Sequence, residues 1–128
     1  MIAKQRIGIV GAGMMGHGIA KNLVEKGFPL AVRGHRSRAP IDDLVGRGAT
    51  EVKTNADLAR ASDIVILCVT GAPQVEEVMF GPEGVASAAR PGTIVVDTST
   101  SEPATTAKMR EALAKQDVRF VDAPLART

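Results

Sequence analysis

Short apolar runs rich in Val and Ile alternate with helical patterns along the whole sequence. Each run is followed by a segment whose apolar residues recur at helical spacing, and then by a glycine or another turn residue. This alternation is typical of a parallel sheet, because each parallel crossover needs about a dozen residues and is usually a helix. The length of 128 residues suits one domain with one core. We therefore expect a single α/β domain with three layers, helix, sheet and helix.

The predicted elements define a sheet topology. Strands are predicted at residues 6–10, 30–33, 50–53, 63–69, 93–97 and 119–123. Helices are predicted at residues 14–26, 41–47, 55–61, 74–80, 85–89 and 101–115, with Asn55 and Ser101 as N-caps and Gly27 and Gly48 as stops. The fourth strand is apolar on both faces and so belongs at the centre. Right-handed crossovers then give a doubly wound order, 3-2-1-4-5-6, with a ligand crevice between strands one and four.

Three glycines follow the first predicted strand in the segment Gly11-Ala12-Gly13-Met14-Met15-Gly16. Their spacing is that of a dinucleotide-binding loop. Gly11 permits a tight turn, Gly13 lets the backbone approach a pyrophosphate, and Gly16 allows the helix to pack closely on the strand. Free N–H groups at the helix start would face the anion. The sequence thus predicts a Rossmann-type fold, while a glycine turn without a ligand and a methyltransferase loop remain alternatives.

The segment after the second predicted strand lacks the carboxylate that usually holds a ribose in NAD-type folds. It reads Arg33-Gly34-His35-Arg36-Ser37-Arg38, and the first acid is Asp42. Arg36 can donate two hydrogen bonds to a 2′-phosphate, and Ser37 can add a hydroxyl. A solvated basic turn would leave the missing acid unexplained, and a methyltransferase would need an acid here. We therefore predict that NADP(H) is preferred over NAD(H).

Composition limits the other function classes. A net charge of +2 with three Phe and no Trp or Tyr gives no sign of a nucleic-acid partner. The N-terminal segment does not resemble a signal peptide, and no apolar run approaches the ~20 residues of a membrane span. The single cysteine, Cys68, cannot form an internal disulfide and is expected to be a small core residue. We expect a cytoplasmic protein with no membrane partner and no metal site.

Further blocks stand in order along the chain: His35-Arg36-Ser37, Cys68-Val69-Thr70, Gly81-Pro82-Glu83-Gly84-Val85, Val96-Asp97-Thr98-Ser99-Thr100 and Phe120-Val121-Asp122-Ala123-Pro124. Together with the glycine loop they resemble the β-hydroxyacid dehydrogenases. This is the family of 3-hydroxyisobutyrate dehydrogenase and tartronate semialdehyde reductase, related to 6-phosphogluconate dehydrogenase. The resemblance spans the whole chain.

The resemblance implies a cofactor site composed of Gly11, Gly13, Met14, Met15, Gly16, His35, Arg36, Ser37, Val69, Thr70, Val75 and Thr100. In this site the two methionines line the pyrophosphate loop. Val69 and Thr70 border the adenosine and nicotinamide riboses, Val75 packs near the adenine, and Thr100 approaches the nicotinamide. The hydroxyls of residues 98–100 have an alternative use, as helix caps alone. His17 in the first helical turn is left outside the site.

The resemblance ends after Pro124, where the family usually continues with Val-Ser-Gly-Gly and this chain has Leu125-Ala126-Arg127-Thr128. Arg127 is a candidate for binding the substrate carboxylate. Family members take their general acid/base, a lysine, from a later helical domain that this sequence does not reach. We therefore predict no catalytic residue within residues 1–128.

The expected function is the NADP-binding part of an oxidoreductase. Such an enzyme transfers hydride between the nicotinamide and a small β-hydroxyacid, or its semialdehyde or keto form. We expect the 128-residue chain to bind cofactor but to turn over little, and its parent to be a homo-oligomer with a C-terminal substrate domain. The alternative is a non-catalytic NADP(H)-binding sensor or scaffold module.

Overall fold

The computed structural model describes residues 4–11, 14–33, 38–99 and 103–123, with the backbone alone for residues 14 and 15. In these ranges the parallel strands β1 to β6 form one sheet with the order β3-β2-β1-β4-β5-β6. The strands are β1 (Ile7–Val10), β2 (Leu30–Arg33), β3 (Thr50–Val52), β4 (Ile64–Leu67), β5 (Ile94–Asp97) and β6 (Arg119–Asp122). The helices are α1 (Met14–Glu25), α2 (Arg38–Gly46), α3 (Asn55–Arg60), α4 (Ala72–Phe80) and α5 (Pro103–Ala114), with a 3-10 turn at Val85–Ser87. The predicted fold and strand order are confirmed, and none of the helices in these ranges is long and apolar enough to cross a membrane.

Helices cover both faces of the sheet and divide the core in two. On one face α1 and α2 pack on β1 and β2, with Ile9, Val32 and Leu44 fully buried. On the other face α3, α4 and α5 pack on β4 and β5, where Leu67 and Met109 are fully buried. Because both faces are covered, the central strands are apolar in every position, as the sequence of β4 predicts.

Several helices end in the same tight corner before the next strand. Gly27 after α1, Gly48 after α2 and Asp117 after α5 have left-handed backbones, with φ of 86°, 115° and 57°. In each corner the next backbone N–H donates to the carbonyl five residues earlier: Phe28 to Leu23, Ala49 to Leu44 and Val118 to Leu113, at 3.0–3.1 Å. The predicted stops at Gly27 and Gly48 are confirmed.

The start of α3 differs from the sequence prediction. Thr54, not Asn55, is the N-cap, because its backbone is extended and its hydroxyl accepts a hydrogen bond from the Asp57 N–H at 3.0 Å. Asn55 is instead the first helical residue and is buried. Elsewhere β4 ends at Leu67, two residues earlier than predicted, and the predicted helix at residues 85–89 is a single 3-10 turn. The predicted cap Ser101 lies outside the described residues.

Candidate cofactor site

The carboxyl ends of β1 and β4 meet at the centre of the sheet. Val10 and Leu67 are register partners, and the Cys68 N–H donates to the Val10 carbonyl at 2.9 Å. Beyond this pair the chain leaves β1 for α1 on one face of the sheet and leaves β4 for α4 on the other. Connections that depart to opposite faces open a crevice between adjacent strand ends, where open α/β sheets bind ligands. The predicted position of the crevice therefore agrees with the topology.

Two glycines of the predicted loop are required by their surroundings. Gly11 has φ +91°, and a Cβ there would lie 2.1 Å from the Cys68 carbonyl oxygen. A Cβ on Gly16 would lie 2.1 Å from the Gly11 carbonyl oxygen and 3.3 Å from the Cys68 Cβ. The two distances of 2.1 Å are far below van der Waals contact. Only glycine at these positions therefore lets the first turn of α1 pack against the ends of β1 and β4. Gly13 lies outside the described residues.

The first turn of α1 begins directly beside these glycines. Met14 opens the helix and Met15 follows it, and no acidic residue occupies the first turn. The N–H groups at this helix end therefore have no carboxylate on their own turn to neutralise them, which suits an anion. A glycine cradle whose Cβ positions are filled by backbone, next to such a helix end, fits the pyrophosphate of a dinucleotide.

His17 is paired within the protein. Its Nε2 lies 2.6 Å from the Asp43 Oδ2 on α2, and Arg47 donates to the same oxygen from its Nε at 3.0 Å. These hydrogen bonds, the one from Arg47 first, hold the pKa of Asp43 below its usual range. His17 thus connects α1 to α2, a role that the sequence did not indicate.

Hydroxyls at the end of β5 fix the segment that follows β4. The Ser99 hydroxyl accepts a hydrogen bond from the Val69 N–H at 2.9 Å, and the Thr98 hydroxyl donates to the Leu67 carbonyl at 2.7 Å. Ser99 is buried, and its own N–H donates to the Asp97 carboxylate at 2.9 Å. The two hydroxyls therefore tie strand ends together, which sequence reasoning missed because it weighed them only as cofactor contacts or helix caps.

Cys68 lies at the edge of the core instead of inside it. The side chain is half-buried, and its Sγ is 2.9 Å from the Thr98 Oγ1. Since that hydroxyl gives its proton to the Leu67 carbonyl, the thiol is the donor in this contact. Burial raises the pKa of the Cys68 thiol, which keeps it protonated as this contact requires. The expectation of a simple core cysteine was wrong.

The remaining predicted residues fall in different surroundings. Val69 is partly exposed and Thr70 is exposed, and both follow β4 at the crevice edge. Val75 belongs to α4, has no exposed surface and packs in the core, so its predicted position near an adenine gains no support. Thr100 and Arg127 lie outside the described residues, and contacts with a cofactor or substrate stay predictions for all of them.

The region after β2 is described only at its two ends. Arg33 closes β2 and is exposed, whereas His35, Arg36 and Ser37 lie outside the described residues. Arg38 opens α2 and donates to both carboxylate oxygens of Glu51, at 2.7 and 2.8 Å. The arginines that follow β2 in the sequence therefore differ in their surroundings, because Arg38 is already paired with a carboxylate of the protein.

Comparison with known proteins identifies relatives over nearly the whole chain. The family model of the NAD binding domain of 6-phosphogluconate dehydrogenase matches residues 6–128. The chain is 37% identical over 121 residues to 2-(hydroxymethyl)glutarate dehydrogenase of Eubacterium barkeri, covering 94% of this chain and 40% of that protein. It is 33% identical over 122 residues to the cytokine-like nuclear factor N-PAC of Xenopus tropicalis, covering 95% of this chain and 23% of that protein.

A solved structure agrees with these sequence relatives. The crystal structure of 3-hydroxyisobutyrate dehydrogenase from Salmonella typhimurium superposes with a TM-score of 0.89 at 28% identity. The match covers 98% of this chain and 43% of that one. The chain thus spans less than half the length of each of these relatives.

Proposed function

Since the chain belongs to the family of NAD(P)-binding domains found in 6-phosphogluconate dehydrogenase and the β-hydroxyacid dehydrogenases, we propose that it holds NADP(H) for an oxidoreductase. The oxidoreductase transfers hydride to or from a small β-hydroxyacid, or its semialdehyde or keto form. The family relationship was predicted from the sequence blocks and is confirmed by the comparisons. The activity of the whole protein, its substrate and its assembly as a homo-oligomer are part of the proposal.

One observation carries the proposal: the close approach of the glycine loop to the end of β4. The Cβ positions of Gly11 and Gly16 are filled by the Cys68 carbonyl and by the Gly11 carbonyl, each at 2.1 Å. This packing brings bare backbone and the start of α1 to the crevice between β1 and β4. Such an arrangement suits two adjacent phosphates, with Gly13 and the backbone of Met14 and Met15 completing the loop.

The other residues of the proposed site bind and orient the cofactor and the substrate. A nicotinamide supplies the hydride donor or acceptor when it is bound. Val69 and Thr70 border the riboses, and the hydrogen bond from the Val69 N–H to Ser99 keeps that segment in place. Thr100 is proposed to approach the nicotinamide, whereas the buried Val75 is not proposed to contact the cofactor. No residue of this chain is proposed as the general acid/base, and Arg127 is proposed to meet the substrate carboxylate.

The preference for NADP(H) is proposed from the charges at the end of β2. The strand ends in Arg33, and no acid occurs before Asp42. The Asp42 carboxylate accepts a hydrogen bond from Arg38 at 3.0 Å, so its charge is compensated. In the proposed site Arg36 and Ser37 bind the 2′-phosphate beside His35, where NAD-type folds place a carboxylate.

Titration of the chain with NADPH, NADH and S-adenosylmethionine tests the proposal. Arg36→Ala is expected to weaken NADPH binding by about 1–3 kcal/mol, because a charged hydrogen-bond donor is lost, and to leave NADH binding nearly unchanged. Arg60→Ala, on α3 and paired with Asp57, is the control and should change neither affinity. Equal affinity for NADPH and NADH in the unmodified chain, or binding of S-adenosylmethionine alone, would refute the proposal.

A second candidate is a non-catalytic NADP(H)-binding module. Its support is the 33% identity to N-PAC, a relative named as a nuclear factor instead of an enzyme. The two candidates differ in the activity of the complete protein that carries this domain. Oxidation of β-hydroxyacids with NADP⁺ by that protein supports the enzyme, whereas cofactor binding without turnover supports the module.

A further inference from the structure

Arg38 forms a two-pronged ion pair at the start of α2. Its two terminal nitrogens donate to Glu51, NH1 to Oε2 at 2.7 Å and NH2 to Oε1 at 2.8 Å. The second nitrogen also donates to the Asp42 Oδ1 at 3.0 Å. Two parallel hydrogen bonds to one carboxylate fix the guanidinium in a single plane. The donors that face Glu51 and Asp42 are therefore occupied by protein carboxylates.

The register of the sheet explains why Glu51 meets α2. Glu51 on β3 is the partner of Val32 on β2, and the next pair joins Arg33 to Val52. Val32 is buried in the core cluster beneath α1 and α2. Register partners in a parallel sheet point to the same face, so the Glu51 side chain projects on the α2 side beside the end of β2.

Glu51 is thus an acid near the proposed 2′-phosphate position, although it comes from the neighbouring strand. Arg38, which holds the Glu51 carboxylate, comes two residues after Arg36 in the sequence, so the pair lies at the end of the connection that contains Arg36. An unpaired carboxylate beside this region would repel a 2′-phosphate, as the acid of NAD-type folds does. Hydrogen bonding to Arg38 holds the pKa of Glu51 below its usual range, so Glu51 is ionised at neutral pH.

We propose that Arg38 is a specificity-determining positioning residue, which neutralises Glu51 so that the ribose pocket accepts a 2′-phosphate. The inference rests on the proposed function, since it concerns the same cofactor site. Arg38 acts through Glu51 and does not itself bind the phosphate. Arg36 then supplies the guanidinium that meets the ligand.

A double-mutant cycle tests this inference. The chain is prepared unmodified and as R38Q, E51Q and R38Q/E51Q, and the Kd values for NADPH and NADH are measured by fluorescence titration. R38Q exposes the Glu51 charge and is expected to raise the Kd for NADPH about fivefold, with less than about a twofold change for NADH. R38Q/E51Q is expected to return the NADPH to NADH ratio to within about twofold of the unmodified chain. The R38Q effect should shrink at 0.5 M salt, because these side chains are partly exposed.

Arg47, the residue that follows α2, offers a matched control. It forms ion pairs with Asp43 and Glu25 at 3.0 Å each, at the opposite end of α2 from Arg38. R47Q therefore removes a comparable pair far from the end of β2 and should leave the NADPH to NADH ratio unchanged. R38K keeps the positive charge but loses the two-pronged geometry, so it should retain more of the NADPH preference than R38Q and less than the unmodified chain.

The outcomes separate this inference from the proposed function. A preference for NADPH in the unmodified chain, with R38Q weakening both cofactors equally, overturns the inference and leaves the proposed function intact. A selective loss that R38Q/E51Q does not reverse also overturns it, because Arg38 would then contact the phosphate itself. An unmodified chain without NADPH preference overturns both. Should R38Q fail to fold, E51Q decides alone, since loss of the NADPH preference in E51Q contradicts the inference.

Discussion

Strands β1 and β4 are joined differently at their two ends. We call the side of the sheet where the parallel strands begin the amino edge, and the side where they end the carboxyl edge. At the amino edge, the Arg6 guanidinium and backbone N–H both bind the Asp63 carboxylate, at 3.1 and 2.9 Å, and Arg90 adds a contact at 3.3 Å. At the carboxyl edge, residues 8–11 and 67–71 include no charged side chain, and the strand ends approach through glycines and hydroxyls. Charged groups of the protein satisfy one another at the first edge. The second edge brings bare backbone together beside the start of α1, which is the arrangement that the proposed phosphate site requires.

A cavity at the amino edge illustrates the same contrast. It has a volume of about 230 Å³ and is lined by residues that begin strands or precede them, among them Arg6, Leu30 and Thr50. Its position is opposite to the glycine loop, at the end of the strands where α/β folds do not place their active crevices. The presence of a cavity is therefore a poorer guide to the proposed cofactor site than the topology of the strand ends.

Gly11→Ala tests the carboxyl edge with the largest expected effect. A Cβ would lie 2.1 Å from the Cys68 carbonyl, and the backbone has φ +91°, so strain and overpacking add. We expect the free energy of unfolding to fall by about 3 kcal/mol and cofactor binding to be lost. Chemical denaturation and NADPH titration measure both.

Gly18→Ala is the control for that substitution. Gly18 lies within α1, and no heavy atom lies within 4 Å of its Cβ position. Alanine there should stabilise the helix by about 0.5–1 kcal/mol. If Gly11→Ala and Gly18→Ala had the same effect on stability, the close approach at the carboxyl edge would not be what joins β1 to β4.

Ser99→Ala compares hydroxyls at the two edges. It leaves the Val69 N–H without its acceptor, so we expect a loss of about 1.5 kcal/mol in unfolding free energy and weaker NADPH binding. Ser62→Ala is the matched change at the amino edge, where the hydroxyl donates to the Leu58 carbonyl at 2.6 Å. That carbonyl also accepts from the Ala61 N–H, so the loss should be smaller and NADPH binding unchanged. Equal effects of both substitutions on NADPH binding would contradict the assignment of the site to the carboxyl edge.

The features that the sequence predicted well follow from local patterns, combined with the rule that parallel crossovers are right-handed. The strand order, the stop at Gly27 and the packing roles of Gly11 and Gly16 follow from periodicity and from glycine at fixed offsets, and the structure agrees with them. The N-cap of α3 was misplaced by one residue because Thr54 and Asn55 both have capping side chains, and only the backbone conformation decides between them.

Contacts between distant residues were not predictable from one sequence. The hydrogen bond from the Val69 N–H to Ser99 joins residues 30 apart. The pair of Arg38 with Glu51 spans 13 residues and depends on the β2–β3 register. No local pattern encodes either contact, since each requires the sheet to be assembled first.

Asp63→Asn tests the charged amino edge through its pH dependence. Hydrogen bonds from the Arg6 side chain and backbone, with the charges of Arg6 and Arg90, hold the pKa of Asp63 below its usual value. A carboxylate whose pKa is lowered by folding stabilises the protein at pH values above its ordinary pKa of about 4. This stabilisation is lost as the pH falls through the lowered pKa of the folded state. Because these side chains are about 40% exposed, we expect a loss of only about 1 kcal/mol at pH 7.

Denaturation of the unmodified chain and Asp63→Asn between pH 2 and pH 7 measures that effect. The difference in unfolding free energy should be constant above about pH 5 and should shrink below about pH 4. NADPH affinity at pH 7 should not change, since the ion pair lies at the edge away from the proposed cofactor site. A difference that persists at pH 2 would show that Asp63 acts by packing, and that charge is not what joins β1 to β4 at this edge.

Asp117→Gly has the smallest expected effect and examines the corners of the amino edge. Asp117 has φ +57° in the same hydrogen-bonded corner that glycine forms after α1 and α2, and its non-glycine side chain makes that backbone more costly. Glycine should raise the free energy of unfolding by about 0.5 kcal/mol, because the relief of strain exceeds the added entropy of the unfolded chain. Gly48→Ala is the reverse change, at φ +115° with open space around its Cβ position, and should cost about 1 kcal/mol. Thermal denaturation of both variants measures the pair, and a loss of stability in Asp117→Gly would mean that the aspartate side chain itself holds this corner. The amino edge would then depend on side chains even at its turns, which would widen its contrast with the carboxyl edge.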